Sequence, residues 1–286
     1  MLTRYTFVEV MTMNEQIYAF EQHLKIEEKS AATIEKYLNS VRRFVTYCSD
    51  RMVDKLLVLE YKARLGEAYA PSSANAALAA INGFLRFLGM GDYCVKPFKV
   101  QKKLYCPEEK ELTREEYVRI VKAAKERNSE RLALLMESIC ATGIRVSELP
   151  YITVKAVCQG EAVVTCKGKT RTIFLPVALQ KKLRRYIQKR HISSGPVFVT
   201  RTGKPMNRSN IWREMKNLCE RANVAPSKVF PHSLRHLFAR CFYAIDRDVA
   251  KLADVLGHSN INTTRICIIT TGAEHRRKME NLQLVI

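Results

Sequence analysis

A lysine-rich stretch without the period of a helix or a strand divides this chain into two parts. It runs from Lys96 to Lys103, with Pro97 and Pro107 at its edges. Proline interrupts regular elements because its ring fixes φ and its nitrogen has no hydrogen to donate. A chain of 286 residues suits two domains better than one. The sequence therefore predicts a helical domain over 13–94, a linker over 95–110 and a second domain over 111–286.

The first part has the apolar spacing of helices. Ile17, Phe20 and Leu24 recur at intervals of three and four residues, which places them on one face of a helix. Three further helices are predicted around residues 34–41, over about 54–65 and from Pro71 to Leu88.

The second part combines helices with a short β-rich region. Thr113 and Glu116 fit a capping box at the start of a helix, and helices resume from Val177. Between them lie three short segments rich in β-branched residues, at 152–157, 162–166 and 172–175. The predicted fold class is mainly α with a small β-sheet (α+β).

The charge of the chain is strongly positive and unevenly distributed. The formal net charge is +20, and residues 162–213 hold 13 Lys and Arg but no Asp or Glu. A solvated surface normally mixes charges of both signs. A stretch of one sign indicates a polyanionic partner, for which nucleic acid ranks before an anionic membrane surface. The 47% of apolar residues excludes a disordered protein.

The nine cysteines are scattered and include no Cys-x-x-Cys pair. No His/Cys group has the spacing of a zinc site, so we expect no bound metal. The pattern is typical of reduced thiols in a cytoplasmic protein. We find neither a signal peptide nor an apolar run of the ~18 residues that a membrane span needs, so we expect no membrane partner.

The motif Ala-Thr-Gly-Ile-Arg-Val-Ser-Glu-Leu at 141–149 places an arginine at a helix start. Gly143 is expected to end one helix and Arg145 to open the next. A cation there opposes the helix dipole, which favours acidic groups. A bound phosphate would resolve that conflict, because the planar guanidinium donates two parallel bonds to phosphate oxygens. A surface arginine after a turn is the alternative.

Three further motifs supply a lysine, an arginine and two histidines. Lys167 lies in a predicted turn between two short strands, where it can act as a general acid, although lysines are common in turns. His232 and Arg235 are three residues apart, on one face of a helix. His258 follows a glycine that ends a helix, where it either donates to a phosphate or caps locally.

In order and spacing these motifs resemble the tyrosine recombinase family, the phage-integrase and Xer-like enzymes. The matching motifs are A-T-G-I-R-V-S-E-L at 141–149, K-G-K at 167–169, H-S-L-R-H at 232–236, L-G-H-S at 256–259 and T-T-R-I-C at 263–267. They cover the second domain nearly completely, and the helical first domain resembles the SAM-like core-binding domain of the family. The resemblance implies a C-shaped clamp whose two domains grip DNA from opposite sides.

The resemblance also implies how a phosphate is held. Arg145 and Arg235 would bind the scissile phosphate, with His232 and His258 assisting. Glu148 would orient the first arginine.

The chemistry implied by the family needs no metal, ATP or other cofactor. Lys167 would protonate the leaving 5′ oxygen, and a tyrosine would attack the phosphate to form a 3′-phosphotyrosyl link. Four protomers would act together on two DNA sites.

The chain departs from the family at the nucleophile. Cys267 stands at the tyrosine position, and no tyrosine follows Tyr243. One hypothesis is an inert thiol, because sulfur is a soft nucleophile and cysteine falls short of a phenol's reach. A second is attack by Cys267, whose reference pKa of about 8.5 lies below the ~10 of tyrosine and would be lowered further by nearby cations. A third is a recent or deliberate change, in a decaying mobile-element gene or an engineered mutant.

The predicted function is therefore site-specific DNA recombination or integration, for a mobile element and through a homo- or hetero-tetramer on double-stranded DNA. The predicted location is the bacterial cytoplasm, in association with the nucleoid. The alternative is a catalytically inactive DNA-binding regulator or a partner in a mixed recombinase tetramer. An enzyme would lose nearly all turnover without Arg145 or Arg235, whereas a pure binder would lose modest affinity.

Ten further residues are predicted to contact DNA outside this site. For those of the first domain, a solvated helix face is the alternative. In the first domain, on the two helices expected to face the groove, they are Thr33, Tyr37, Arg43, Asn75, Asn82 and Arg86. In the second domain they are Lys169, Arg171, Arg201 and Lys204.

Overall fold

The chain forms two units, one up to Lys102 and one from Lys103. The structure, a computed structural model, describes residues 12–49, 51–100, 111–166, 169–200, 202–268, 276–277 and 279–282. Most of the predicted linker lies outside these ranges. Lys167 and Arg201 also lie outside the described residues, as does the side chain of Lys169.

The described residues of the first unit include four α-helices, and each begins where the sequence supplies a suitable residue. Thr12 and Glu15 make a reciprocal capping box, and side-chain oxygens of Ser30 and Asp54 accept backbone N–H groups in the next two helices. These caps satisfy donors that have no partner in a first turn. The helices are α1 (Met13–Ile26), α2 (Ala31–Cys48), α3 (Lys55–Ala68) and α4 (Pro71–Phe87).

Apolar side chains from all four helices fill the interior of the first unit. Ile17, Phe20 and Leu24 of α1 are buried, which confirms the face that their spacing predicts. The ring of Phe20 meets that of Phe84 in α4 edge to face, with centroids 5.2 Å apart. Such an arrangement is preferred between aromatic rings.

The segment after α4 is held to the first unit by two asparagines of that helix. Asn82 donates to the Val95 carbonyl (Nδ2–O 2.8 Å) and accepts from the Val95 amide (Oδ1–N 3.0 Å). Asn75 makes the same pair of bonds with Phe98, at 2.9 and 2.7 Å. Seven residues separate the asparagines, which is about two helical turns. The backbone of the segment after α4 therefore bonds to side chains on one face of that helix.

These bonds change two predictions from the sequence. Val95 is buried in the core of the first unit and Phe98 packs against it, so residues 95–98 belong to that unit and not to a free linker. Asn82 is buried, and the amides of Asn82 and Asn75 are both engaged within the unit. Their position does not support the predicted DNA contacts.

The described residues of the second unit are mainly helical, with one antiparallel pair of strands. Strands β1 (Glu161–Cys166) and β2 (Lys169–Phe174) pair from Glu161 opposite Phe174 to Cys166 opposite Lys169, which confirms the α+β class. The α-helices are α5 (Arg114–Glu126), α6 (Glu130–Thr142), α7 (Val154–Gln159), α8 (Val177–Lys189), α9 (Arg208–Lys216), α10 (Pro231–Asp246), α11 (Val249–Leu256) and α12 (Ile261–Cys267). Short 3-10 helices cover Val146–Tyr151 and Pro226–Lys228.

One predicted β segment is helical. Residues 152–157 are rich in β-branched side chains, yet the segment Val154–Gln159 forms α7. Thr153 caps this helix by accepting from the Ala156 amide at 3.1 Å, and Gly160 ends it in the left-handed conformation, φ +81°. The two end signals outweigh the weak strand propensity of the residues between them.

Helix α6 runs through the centre of the second unit. Ala133, Leu135, Met136 and Ile139 are completely buried, and a helix with apolar residues on all sides is typical of an interior position. Its acidic residue Glu137 is paired with two lysines, from α5 and α8. Among the described residues, no helix has the length and apolar character needed to span a membrane.

We expect Asn82→Ala to lower the free energy of unfolding of the first unit by about 1–3 kcal/mol, because it leaves a buried N–H and a carbonyl of Val95 without partners. Urea titration of the full chain, followed by circular dichroism, measures the change. The matched control is Asn39→Ala, on the exposed side of α2. Equal effects of the two substitutions would contradict the role of Asn82.

Candidate phosphate-binding site

A left-handed turn after α6 places Arg145. Gly143 ends the helix with φ +65°, and a Cβ at this position would lie 2.5 Å from Cδ1 of Phe238. Glycine is therefore required here for both conformation and space. Arg145 follows in an extended conformation and precedes the 3-10 helix Val146–Tyr151, as the sequence predicts.

Glu148 holds the side chain and the backbone amide of Arg145 by hydrogen bonds. Its side chain is 2% exposed. It accepts from Arg145 Nη1 at 2.8 Å and from the Arg145 amide at 2.9 Å, and from Arg171 Nη2 at 2.6 Å. Burial alone would raise the pKa of Glu148, but the hydrogen bonds from Arg145 and the charges of both arginines outweigh it and lower the pKa. The carboxylate is therefore ionised and joins two guanidiniums.

Three arginines converge on the carboxyl end of α11. Residues 255–257 present three successive carbonyls there: Arg171 donates to the first, Arg235 to the second at 2.6 Å and Arg145 to the third at 2.8 Å. The last carbonyls of a helix have no partner within it and carry the negative end of its dipole, so cations are favoured there. The helix end gathers positive charge that would otherwise repel itself.

Arg235 is the most deeply buried of the three, with 2% of its surface exposed. Besides its bond to α11 it donates to the Gly143 carbonyl. Its Nη2 also lies 2.9 Å from Nε2 of His258. Burial, and then the charges of Arg145 and Arg171, lower its pKa to about 9. A group with that pKa is still cationic at neutral pH.

His258 is neutral and its tautomer follows from its neighbours. Burial, followed by the charge of Arg235 and then of Arg145, lowers the pKa of His258 to about 4. A guanidinium can only donate, so Nε2 must accept from Arg235. Nδ1 therefore carries the proton and donates to Oγ1 of the buried Thr264 at 2.9 Å. Both ring nitrogens are occupied, which favours the local structural role over a free phosphate donor.

His232 lies at the exposed start of α10, one turn before Arg235. Partial desolvation, and then the charges of Arg235 and Arg208, lower the pKa of His232. His236, one turn further on, is half-buried with its ring centroid 6.2 Å from that of His232, and burial lowers its pKa to about 4. His232 is thus the histidine of this group that faces solvent.

Cys267 ends α12 as a buried, protonated thiol. It is 6% exposed, and Sγ donates to the Thr263 carbonyl at 3.4 Å. Burial raises its pKa, although Arg235, Arg145 and Arg240 act in the opposite direction. Nearby cations do lower this pKa, as the sequence leads us to expect, but desolvation of the thiolate is the larger effect and the net shift is upward.

The site has more positive than negative charge and has donors to spare. Arg145, Arg171 and Arg235 share a single carboxylate, that of Glu148. A guanidinium has five N–H donors; Arg235 uses three within the described residues, which leaves two. A small anion with several oxygens, such as a phosphate, fits these donors. No group of three His, Cys, Asp or Glu side chains in the described part of the chain is placed to hold a metal ion.

The other predicted contact residues lie in varied surroundings. In the first unit Arg43 and Arg86 are exposed. Tyr37 packs on the core, and Thr33 is half-buried with its hydroxyl 2.8 Å from that of Ser30. In the second unit Lys204 is exposed, whereas the side chain of Arg171 is only 14% exposed.

Two features of the site are not among the predictions from the sequence. One is the carboxyl end of α11, whose backbone carbonyls hold the arginines. The other is the inward position of Arg171. Its signal was available: Arg171 and Ile173 alternate with Thr170 and Thr172 along β2, and such alternation places Arg171 on the same face as a core residue.

The sequence matches two family descriptions. Residues 110–268 match "Phage integrase family", and residues 17–89 match "Phage integrase, N-terminal SAM-like domain". The chain is 31% identical over 283 residues to "Tyrosine recombinase XerA" of Thermococcus kodakarensis, covering 95% of this chain and 96% of the relative. It is 29% identical to "Tyrosine recombinase XerD" of Halalkalibacterium halodurans, covering 89% and 93% of the two chains.

Solved structures share the fold. A lambda integrase (75–356) dimer bound to a COC′ core site superposes with a TM-score of 0.74 at 17% identity, covering 92% of this chain and 97% of that one. XerH bound to a palindromic difH substrate, in a post-cleavage complex, superposes with a TM-score of 0.71 at 17% identity, covering 86% and 78%.

We expect the free energy of unfolding to fall as pH decreases from about 6.5 to about 4. The pKa of His258 is about 4 in the folded chain, against 6.5 ordinarily. Between these pH values His258 is protonated in the unfolded chain and neutral in the folded chain, so a falling pH favours unfolding. His258→Asn should remove a share of this dependence on the order of 1 kcal/mol, seen in urea titrations at several pH values. His191→Asn, at an exposed position, is the control; identical pH slopes for both variants and the native chain would exclude the assignment.

Proposed function

The chain belongs to the phage integrase family of tyrosine recombinases, and we propose that it grips a scissile phosphate of duplex DNA but does not cut the strand with Cys267. One observation carries this proposal. Arg145, Arg235 and His258 form a connected site, while Cys267 beside them is buried, protonated and bonded to its own helix.

The phosphate would take the donors that the arginines leave over. The two guanidiniums held by one helix end would donate to the two non-bridging oxygens. His232, exposed at the start of α10, is the imidazole with access to a bound phosphate. Lys167, in the hairpin turn of the sequence, is proposed as the acid that protonates the leaving 5′ oxygen.

Cys267 lacks the properties of a nucleophile towards phosphorus. Its raised pKa leaves little thiolate at neutral pH. Its side chain is shorter than that of tyrosine, and its sulfur is bonded to the Thr263 carbonyl at 3.4 Å. These properties favour the inert thiol over an attacking thiolate.

Double-stranded DNA is the proposed partner. Lambda integrase is described as a tetramer bound to a Holliday junction and XerH as bound to difH, and a net charge of +20 suits a DNA surface. By this similarity we propose that the chain assembles as a dimer or tetramer on its site. Lys169, Arg201 and Lys204, with Arg43 and Arg86 of the first unit, are proposed as further contacts. A cytoplasmic location at the bacterial nucleoid and an origin in a mobile element remain part of the proposal.

A partner role in a mixed tetramer is the second candidate. The observation that favours it is the retention of every described phosphate-binding residue beside a cysteine at the nucleophile position. In such a tetramer this chain would hold DNA while an active relative cuts. A DNA-binding regulator would make the same contacts without the partner.

We expect Cys267→Tyr to restore strand cleavage, because the remaining groups of the site are in place. Nicked or suicide duplexes that carry DNA from beside the gene are incubated with protein and no metal, and covalent adducts are resolved on SDS gels. The tyrosine variant should form an adduct that the native chain does not. Cys158→Tyr, at an exposed cysteine of α7, is the matched control for a cysteine replaced by tyrosine.

Adduct formation by the native chain would overturn the inert thiol. Failure of the Cys267→Tyr variant to cut DNA that it binds would overturn the idea that only the nucleophile is missing. Binding is followed in parallel by gel shift, and an active relative added to the native chain tests the mixed tetramer.

A further inference from the structure

Arg171 connects three parts of the second unit through one side chain. It comes from β2, where it lies opposite Val164 of β1. Its Nη2 donates to Glu148 at 2.6 Å, and its Nη1 donates to the Val255 carbonyl at the end of α11. The hairpin, the 3-10 helix after Arg145 and α11 therefore meet at a single guanidinium.

The side chain points into the protein. Val164, directly opposite, is buried, as is Ile173 two residues along β2, so Arg171 shares the inner face of the hairpin. It is 14% exposed, and its Nε is buried without a hydrogen-bond partner among the described residues. A position of this kind suits an internal connection and not a surface contact with phosphates.

Gly257 makes room for this connection. It ends α11 with φ +63°, and a Cβ there would lie 2.5 Å from Cδ and 2.8 Å from Nε of Arg171. The glycine at the helix end is thus packed directly against the arginine. Any side chain at 257 would have to displace Arg171 or the end of α11.

We propose that Arg171 is a positioning residue that fixes the β1–β2 hairpin on the phosphate-binding site. Through Glu148 it shares a carboxylate with Arg145, and through α11 it shares a helix end with Arg235. Lys167 lies between β1 and β2 in the sequence, so Arg171 fixes the strand that follows the proposed acid. This inference rests on the proposed function only in what Lys167 does; the anchoring itself is independent of DNA cleavage.

Lysine cannot replace arginine in this role. Arg171 reaches two acceptors on different elements with two nitrogens of a rigid planar fork. An ammonium is a compact group on a flexible chain and reaches one acceptor at that separation. A phosphate contact on the surface, in contrast, would largely survive exchange of one cation for another.

The first experiment compares Arg171→Lys with the native chain by hydrogen–deuterium exchange and by DNA binding. The amides of β1 and β2 should exchange at least about tenfold faster in the variant, since a local opening that is easier by ~1.4 kcal/mol gives that factor. The slope of log Kd against log salt should not change. Unchanged exchange would overturn the anchoring. In the variant Arg171→Ala, which removes the charge, a slope reduced by about 0.9 would identify Arg171 as a direct phosphate contact.

The second experiment displaces Arg171 from the other side. Gly257→Ala should accelerate exchange in the same two strands. Gly195→Ala is the matched control, because Gly195 also has a positive φ, +78°, but no atom within 4 Å of its added Cβ. Equal exchange in β1 and β2 for the two alanine variants would count against the contact between Gly257 and Arg171.

The consequence for catalysis is read in the Cys267→Tyr background. Adding Arg171→Lys should lower the rate of strand cleavage on the order of 10²-fold while Kd for DNA stays unchanged, as expected when a reacting group is displaced by about 1 Å. An unchanged cleavage rate would overturn the positioning role. If Cys267→Tyr does not cleave, the proposed function has failed, and the exchange experiments still decide whether Arg171 anchors the hairpin.

Discussion

The site in the second unit depends on the hydrogen bonds that three arginines donate to the carboxyl end of α11. Three guanidiniums within one small site would repel each other, and Glu148 alone offsets only one of the charges. The carbonyls of residues 255–257 supply the rest of the attraction through aligned backbone dipoles. Because these acceptors belong to the backbone, they cannot be lost by substitution of a side chain. The three arginines therefore keep these acceptors as long as the end of α11 stays folded.

The sequence predicts the fold for identifiable reasons, and the structure brings Arg145, Arg235 and His258 of the predicted site together. Helices with strong apolar periodicity, such as α1, were found because the period directly reflects one buried face. Gly143 and Arg145 were found because a helix end followed by a misplaced cation is a local anomaly. The strand predicted at 152–157 is wrong because strand propensity is weak and the signals at the two ends of the helix outweigh it.

Tertiary partners explain the remaining differences. Arg171 bonds to a carbonyl 84 residues away, and nothing local to β2 announces that acceptor. Asn82 similarly has the sequence pattern of a polar residue on a helix face, and only the fold shows that it bonds to the backbone of Val95. Cys267 has cations on several sides, yet the balance between their charge and its burial depends on the packing of α12. In each case the sequence shows the chemistry of the side chain but not the groups that surround it in the fold.

The hydrogen bond between Arg235 and His258 has a consequence for the choice between neutral ligands and anions. Three donors of this guanidinium are already engaged by neutral acceptors, the Gly143 and Leu256 carbonyls and the imidazole. A ligand that merely offers a lone pair gains little by competing with them, whereas a group with a full negative charge gains considerably. The arrangement therefore favours a fully charged oxygen anion over water or a neutral hydroxyl at the remaining donors of Arg235.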